Sequence, residues 1–197
     1  MNALPLNALD QRARARAIDW MREAEARDYS PADVIDDCLT CLQFLGIDVD
    51  TDRKGRPCVD YSLGSGRGDF VTFSGGWRVA DMDIAALLDY APQDEALRSV
   101  AGQFTAILLQ YPHSTAGIGS MRDMFVIDAD YGEDASDDAT LTVQLLGAVK
   151  ATAAWMLARM QADYEDRMSD ESCIDMIEAS DYRFTEAGDF VPEVTAC

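Results

Sequence analysis

The run DADYGEDASDD, residues 128–138, packs six carboxylates into eleven positions. Carboxylates at that density do one of two things. They hold a hard cation through oxygen ligands, or they present fixed negative charge to a cationic surface. A calcium loop would need a glycine at its sixth position, and Gly132 falls one residue early when Asp128 is counted as the first. Asp48, Asp50 and Asp52 begin a second such pattern. It fails at Arg53, where the glycine belongs, and at Val59, where the bidentate acid belongs. Other reactive residue types are sparse. His113 is the single histidine, in a Pro-His-Ser turn with no nucleophile elbow beside it. Cys38 and Cys41 form a C-x-x-C, but no second pair or histidine completes four zinc ligands, and both fall on the apolar stripe of a helix. They read as core residues. Gly64-Ser65-Gly66-Arg67-Gly68 has the glycine content of a phosphate loop. A phosphate loop must run into a helix N-terminus, whereas here the strand-like Phe70-Val71-Thr72-Phe73 follows. The glycines therefore read as a connection between strands.

The elements that must position these residues can be traced by period. Leu9, Ala13, Ala17, Trp20, Met21 and Ala24 recur at helical spacing over residues 8–28. Ser30-Pro31-Ala32-Asp33 offers a helix start, Val34, Cys38, Leu42 and Leu45 its inner face, and Gly46 its end. Alternation then predicts a hairpin, with Ile47, Val49, Val59 and Tyr61 facing inward and Arg53–Pro57 as the turn. A strand at Phe70–Phe73, a short helix from Asp81 to Tyr90 and a stronger helix opened by Pro92-Gln93-Asp94-Glu95 and closed by Pro112 come next. Met124–Ile127 reads as a strand and Asp138–Met168 as a long helix seamed by Leu145, Val149, Met156, Met160 and Tyr164. Ser169 caps a last helix, and Tyr182–Phe190 reads as a terminal hairpin. Helices and strands are segregated, which predicts an α+β fold, helices on a small antiparallel sheet. The reading is a single domain over residues 1–197, with a helical segment to residue 46 and an α+β body from 47.

Charge sets the class of partner. The chain holds 36 acids against 16 bases, net −20, and Asp outnumbers Glu 27 to 9. Residues 1–80 carry 13 acids and 10 bases; residues 81–197 carry 23 and 6. Such a surface repels nucleic acid and anionic membranes and attracts basic proteins. No apolar run approaches a membrane span, the start lacks a secretion signal, and the odd, scattered cysteines are no disulfide framework. The expected location is the cytoplasm.

Tyr61-Ser62, Gly68-Asp69, Phe73 and Gly75 resemble a family of small acidic proteins of phages, prophages and plasmids whose members carry a FSGFxSQGDGAxFxG stretch. This chain has Leu63-Gly64 where that pattern has Gly-Phe, Gly66-Arg67 where it has Ser-Gln, and Phe70 where it has Gly. The tail, DYEDRMSDESCIDMIEASDYRFTEAGDF from Asp163 to Phe190, is similar to the family's helix, Ser-Asp-Glu cap, helix and Phe-Thr-x-x-Gly ending. The resemblance covers the last two-thirds of the chain. It implies an origin on mobile DNA and a role in a phage's contest with its host.

Together these readings lead to an expectation: a non-enzymatic anti-defence inhibitor, of anti-CRISPR or antirestriction type, acting in the host cytoplasm without a cofactor. It would bind a basic DNA- or RNA-binding host protein by presenting DNA-like charge. Asp suits this role because its short side chain loses less freedom on docking than Glu. The expected contact residues are Asp123, Asp128, Asp130, Glu133, Asp134, Asp137 and Asp138 in one segment, and Asp163, Glu165, Asp166, Asp170 and Glu171 in another. A halophilic surface, a carboxylate–metal enzyme and an acidic regulator that is no DNA mimic would share the composition. The apolar seams of the first and the long helix would also serve a homodimer.

Overall fold

The computed structural model of the chain describes residues 3–64, 68–121, 123–130 and 138–192. The chain folds into two compact units, one of Ala32–Met160 and one of Met1–Pro31 with Gln161–Cys197. Its class is α+β, as the segregated pattern implies.

In the first unit, Ile35, Cys38, Cys41 and Leu42 recur at three- and four-residue steps, and their burial defines helix α2 (Ala32–Phe44). The helix stops one residue earlier than its apolar spacing implies. Leu45 already belongs to strand β1 (Leu45–Val49), and Gly46 lies inside that strand. Gly46 has φ +76°, and a Cβ there would sit 2.4 Å from the Arg78 carbonyl oxygen, so only glycine lets the strand turn in so tightly.

The expected pairing of residues 47–49 with 59–61 does not form. Thr51 and Pro57 make one isolated bridge around a turn in which Asp52 accepts from the Lys54 and Arg56 amides. Strand β2 (Val59–Ser62) instead pairs antiparallel with β3 (Phe70–Phe73), and Tyr61 is exposed. Strand β1 pairs with β4 (Gly75–Met82). The order of the main sheet is completed by β5 (Thr115–Met121) and β6 (Met124–Asp130), giving β1-β4-β5-β6, all antiparallel. The wider pairing is favoured because it buries Ile47, Trp77, Ala116 and Ile118 on one face, against helices.

Helix α3 (Ile84–Tyr90) starts at an Asp83 cap, slightly later than its expected start at Asp81. Helix α4 (Glu95–Gln110) starts where Asp94 accepts from the Leu97 amide at 2.8 Å. The long helix α5 (Asp138–Arg167) contributes Leu141, Leu145, Val149 and Met156 to the same core as Phe73, Trp77 and Phe104. One expectation needs revision. Ala139–Arg167 is long and apolar enough to cross a membrane by length and composition. Its buried apolar stripe is part of the globular core.

The second unit is built from both ends of the chain. Helix α1 (Gln11–Asp28) buries Ala17, Ile18 and Met21 against Cys173 and Ile177 of α6 (Asp170–Ala179). Asp10 and Ser169 cap the two helices. The terminal hairpin, β7 (Arg183–Phe184) with β8 (Phe190–Val191), forms as expected. Leu4 bridges to Phe184 with hydrogen bonds of 2.8 and 2.9 Å.

Candidate interaction surface

The outer face of the main sheet is open to solvent. In register across it stand Asp48, Gly76, Gly117 and Asp128, then Arg78, Thr115 and Asp130. With strands ~4.8 Å apart, Asp48 on β1 and Asp128 on β6 lie ~14 Å from one another across a floor of glycine. That floor is not required by packing, since a Cβ at Gly76 would meet nothing within 4 Å and one at Gly117 only ordinary contacts. It leaves no side chain between the two acidic margins in that row. Further along the same face Met121, Met124 and Val126 are exposed apolar residues. Strand β6 is an edge, and Asp128 and Asp130 also protect that edge from pairing with another chain.

The structure thus places Asp123, Asp128 and Asp130 on or beside one exposed strand. Glu133, Asp134 and Asp137 lie outside the described residues, and Asp138 opens α5.

The other predicted acids belong to the unit built from the chain ends, and the structure sorts them. Asp163 is engaged: it accepts from the Tyr29 hydroxyl at 2.9 Å and faces Arg167 at 3.5 Å, whose guanidinium lies over the Tyr29 ring. Asp170 is held by Arg22, which also takes Asp19 and donates to the Met168 carbonyl. Glu165, Asp166 and Glu171 are exposed. Glu171 continues into Asp175 and Glu178, also exposed, at i, i+4 and i+7 of α6, which makes an acidic stripe. Asp175 and Glu178 were not among the expected contact residues, although their spacing signals them. Arg16, Arg22, Arg56, Arg78, Arg159, Arg167 and Arg183 each rest on a carboxylate of their own unit.

Among the described residues, the remaining reactive groups lie apart or are buried. Cys38 and Cys41 are buried, as expected of core residues, and burial pushes their thiols up to about 12 and about 11. Thiols so protonated are poor nucleophiles and metal ligands. Beside them lies a polar node that no local pattern signals. Arg159 reaches Asp37 at 2.8 Å and Asp94 at 3.6 Å, Trp155 donates to Asp94 at 2.8 Å, and Tyr90 donates to Asp37 at 2.6 Å. These contacts fasten α2, α3 and α5 to the start of α4, while the buried Arg159 Nε has no hydrogen-bond partner among the described residues. His113 is exposed in its turn. Among the described residues no three His, Cys, Asp or Glu side chains converge to hold a metal ion. The glycine-rich segment connects β2 to β3, with the Gly64 amide donating to Asp69 at 2.7 Å; residues 65–67 of it lie outside the described residues.

Fold and surface together define an acidic α+β protein that displays carboxylates on an open sheet face and a helix stripe. The chain belongs to the DUF8835 family, a domain of unknown function, whose model matches residues 31–170. No curated protein and no solved structure matches it.

Proposed function

We propose that this protein is an anti-defence inhibitor encoded by a phage or other mobile element. It occupies the basic groove of a host nucleic-acid-binding protein, such as a CRISPR effector or a restriction enzyme, by presenting DNA-like charge. The observation that carries this reading is the division of labour among charges. Seven arginines are paired with aspartates of their own unit, while Asp128 on β6 and Glu171, Asp175 and Glu178 on the α6 stripe are exposed. A groove lined with Lys and Arg is held ready for about one phosphate charge per 1.7 Å of duplex. The ~14 Å between the sheet's acidic margins is close to the ~12 Å width of the major groove that separates two phosphate rows. Asp128 and Asp130, two residues apart on one strand face, add a row at ~7 Å spacing.

The test is capture from host lysate at low and high salt, with and without duplex DNA. A nuclease or CRISPR subunit retained at low salt, released by high salt and displaced by DNA supports the reading. The variant Asp128→Lys/Asp130→Lys/Glu171→Lys/Asp175→Lys/Glu178→Lys should release that partner while keeping its native circular dichroism. Retention of the partner by this folded variant would refute the mapping. Capture of no nucleic-acid-binding protein would refute the function.

A further inference from the structure

The unit built from the chain ends contains a cleft of about 490 Å³, within the usual range of ligand sites. One wall is a stripe of α1, where Arg16, Asp19, Trp20 and Glu23 stand at i, i+3, i+4 and i+7. The other is the turn and second strand of the terminal hairpin, with Asp189 and Phe190. The hairpin lies directly on the helix backbone, because Gly188 at φ +86° brings its Cα so near that a Cβ would be 2.2 Å from the Ala13 carbonyl oxygen. Trp20 and Phe190 stack at 4.2 Å between centroids with an interplanar angle of 12°, and this pair is the aromatic floor. Three carboxylates stand around it: Asp19, Glu23 and Asp189. Arg16 lines the cleft and pairs with Asp189 at 2.5 Å, both side chains being more than half exposed. Arg22 pairs with Asp19 from outside the lining.

An aromatic floor with an excess of carboxylates at its rim is the recognition chemistry of an organic cation. Arg16 already shows that the rim accepts a guanidinium, and its exposed pair is one that a competitor can exchange cheaply. We propose that this cleft receives an arginine side chain of the basic partner, which lies against the Trp20–Phe190 pair and takes Glu23 and Asp189 in place of Arg16. Arginine fits better than lysine because its planar guanidinium both stacks and forks onto carboxylates. The inference rests on the reading that the partner is basic, and it adds an anchor to an otherwise diffuse charged contact. The anchor lies outside residues 31–170, the part of the chain that the family model matches.

The experiment follows the Trp20 indole N–H resonance, assigned with Trp20→Phe, during titration with N-acetyl-arginine amide and with its neutral isostere N-acetyl-citrulline amide. A saturable shift with the arginine amide alone is expected at millimolar concentration. Glu23→Gln should weaken binding about fivefold, and Arg16→Gln should tighten it about threefold by freeing Asp189. Equal shifts with both probes, or no saturable shift even in Arg16→Gln, would overturn the proposal. The two readings fail separately. If Glu23→Gln/Asp189→Asn leaves partner capture intact while the lysine variant abolishes it, the cleft is wrong and the acidic surface stands. If the cleft binds the arginine amide but no nucleic-acid-binding protein is captured, the cleft stands and the anti-defence function does not.

Discussion

The two units are held together by different means. Ala32–Met160 is contiguous in sequence and closes on a large core in which Phe73, Trp77, Phe104, Leu141 and Leu145 are fully buried. The other unit joins segments far apart in the chain, and its core is small: Leu6, Ala17, Ile18, Met21, Cys173, Ile177 and Phe184. It supplements this with a ring cluster, Trp20, Tyr182, Phe184 and Phe190, and with ion pairs that tie its separate segments, Arg16 to Asp189 and Arg22 to Asp170. The contrast teaches that burial makes one unit a scaffold, while the other relies on half-exposed rings and charges. Half-exposed rings and charges are also what can receive a ligand. The family match coincides with the scaffold and ends within the first turn of α6.

The contrast is tested most severely in the cores. Phe104→Ala should cost about 3–5 kcal/mol in urea unfolding, whereas Trp20→Ala, half-buried, should cost about 2 kcal/mol. Equal losses would break the comparison. Two glycines come next. Gly188→Ala forces a Cβ into the Ala13 carbonyl at a positive φ and should cost about 2–3 kcal/mol, read as a lower melting temperature. Gly76→Ala has open space and should change stability by less than about 1 kcal/mol. A large loss at Gly76 would mean that the glycine floor is structural after all.

Alkali should weaken the scaffold. The Cys38 and Cys41 thiols ionise near pH 9.0 when unfolded but only at about 12 and about 11 when folded. Between those values the unfolded chain binds fewer protons than the folded one, so stability falls as pH rises. Urea midpoints measured on either side of pH 9 should show the decline, and a Cys38→Ala/Cys41→Ala variant should show less of it. The smallest effect is on α6. Asp175→Asn/Glu178→Gln should stabilise the protein by about 0.2–0.5 kcal/mol through the relieved pair, seen as a small rise in melting temperature, whereas Glu171 in the first turn favours the helix N-terminus. A loss of stability would show that the stripe is structural and not kept for display.

Much of the fold was legible because local rules sufficed. The helical stripes of α1, α4, α5 and α6, the caps at Asp94 and Ser169, and the β2–β3 connection through glycine all follow from period and turn chemistry. Strands β4 and β5 escaped notice because glycine dilutes their alternation: Gly76 and Gly117 occupy outward positions where a polar side chain would have marked the period. The β1 partner was misread because two candidate strands flank a genuine turn, and the turn chemistry is satisfied whether or not the arms pair along their length. The acidic segments were visible as composition. Composition alone could not separate Asp163 and Asp170, which are consumed by Tyr29, Arg167 and Arg22, from the exposed stripe of α6.

The sequence by itself determined the class of fold, the sign of the surface and the burial of Cys38 and Cys41, since each depends on residue type and short-range spacing. Only the tertiary structure decided which carboxylates remain exposed, that Asp48 and Asp128 flank one glycine floor, and that Trp20 and Phe190 stack beneath an acidic rim. Those facts depend on contacts between residues scores of positions apart. Such contacts are set by what buries the most apolar surface while pairing every backbone group, a choice made over the whole chain at once.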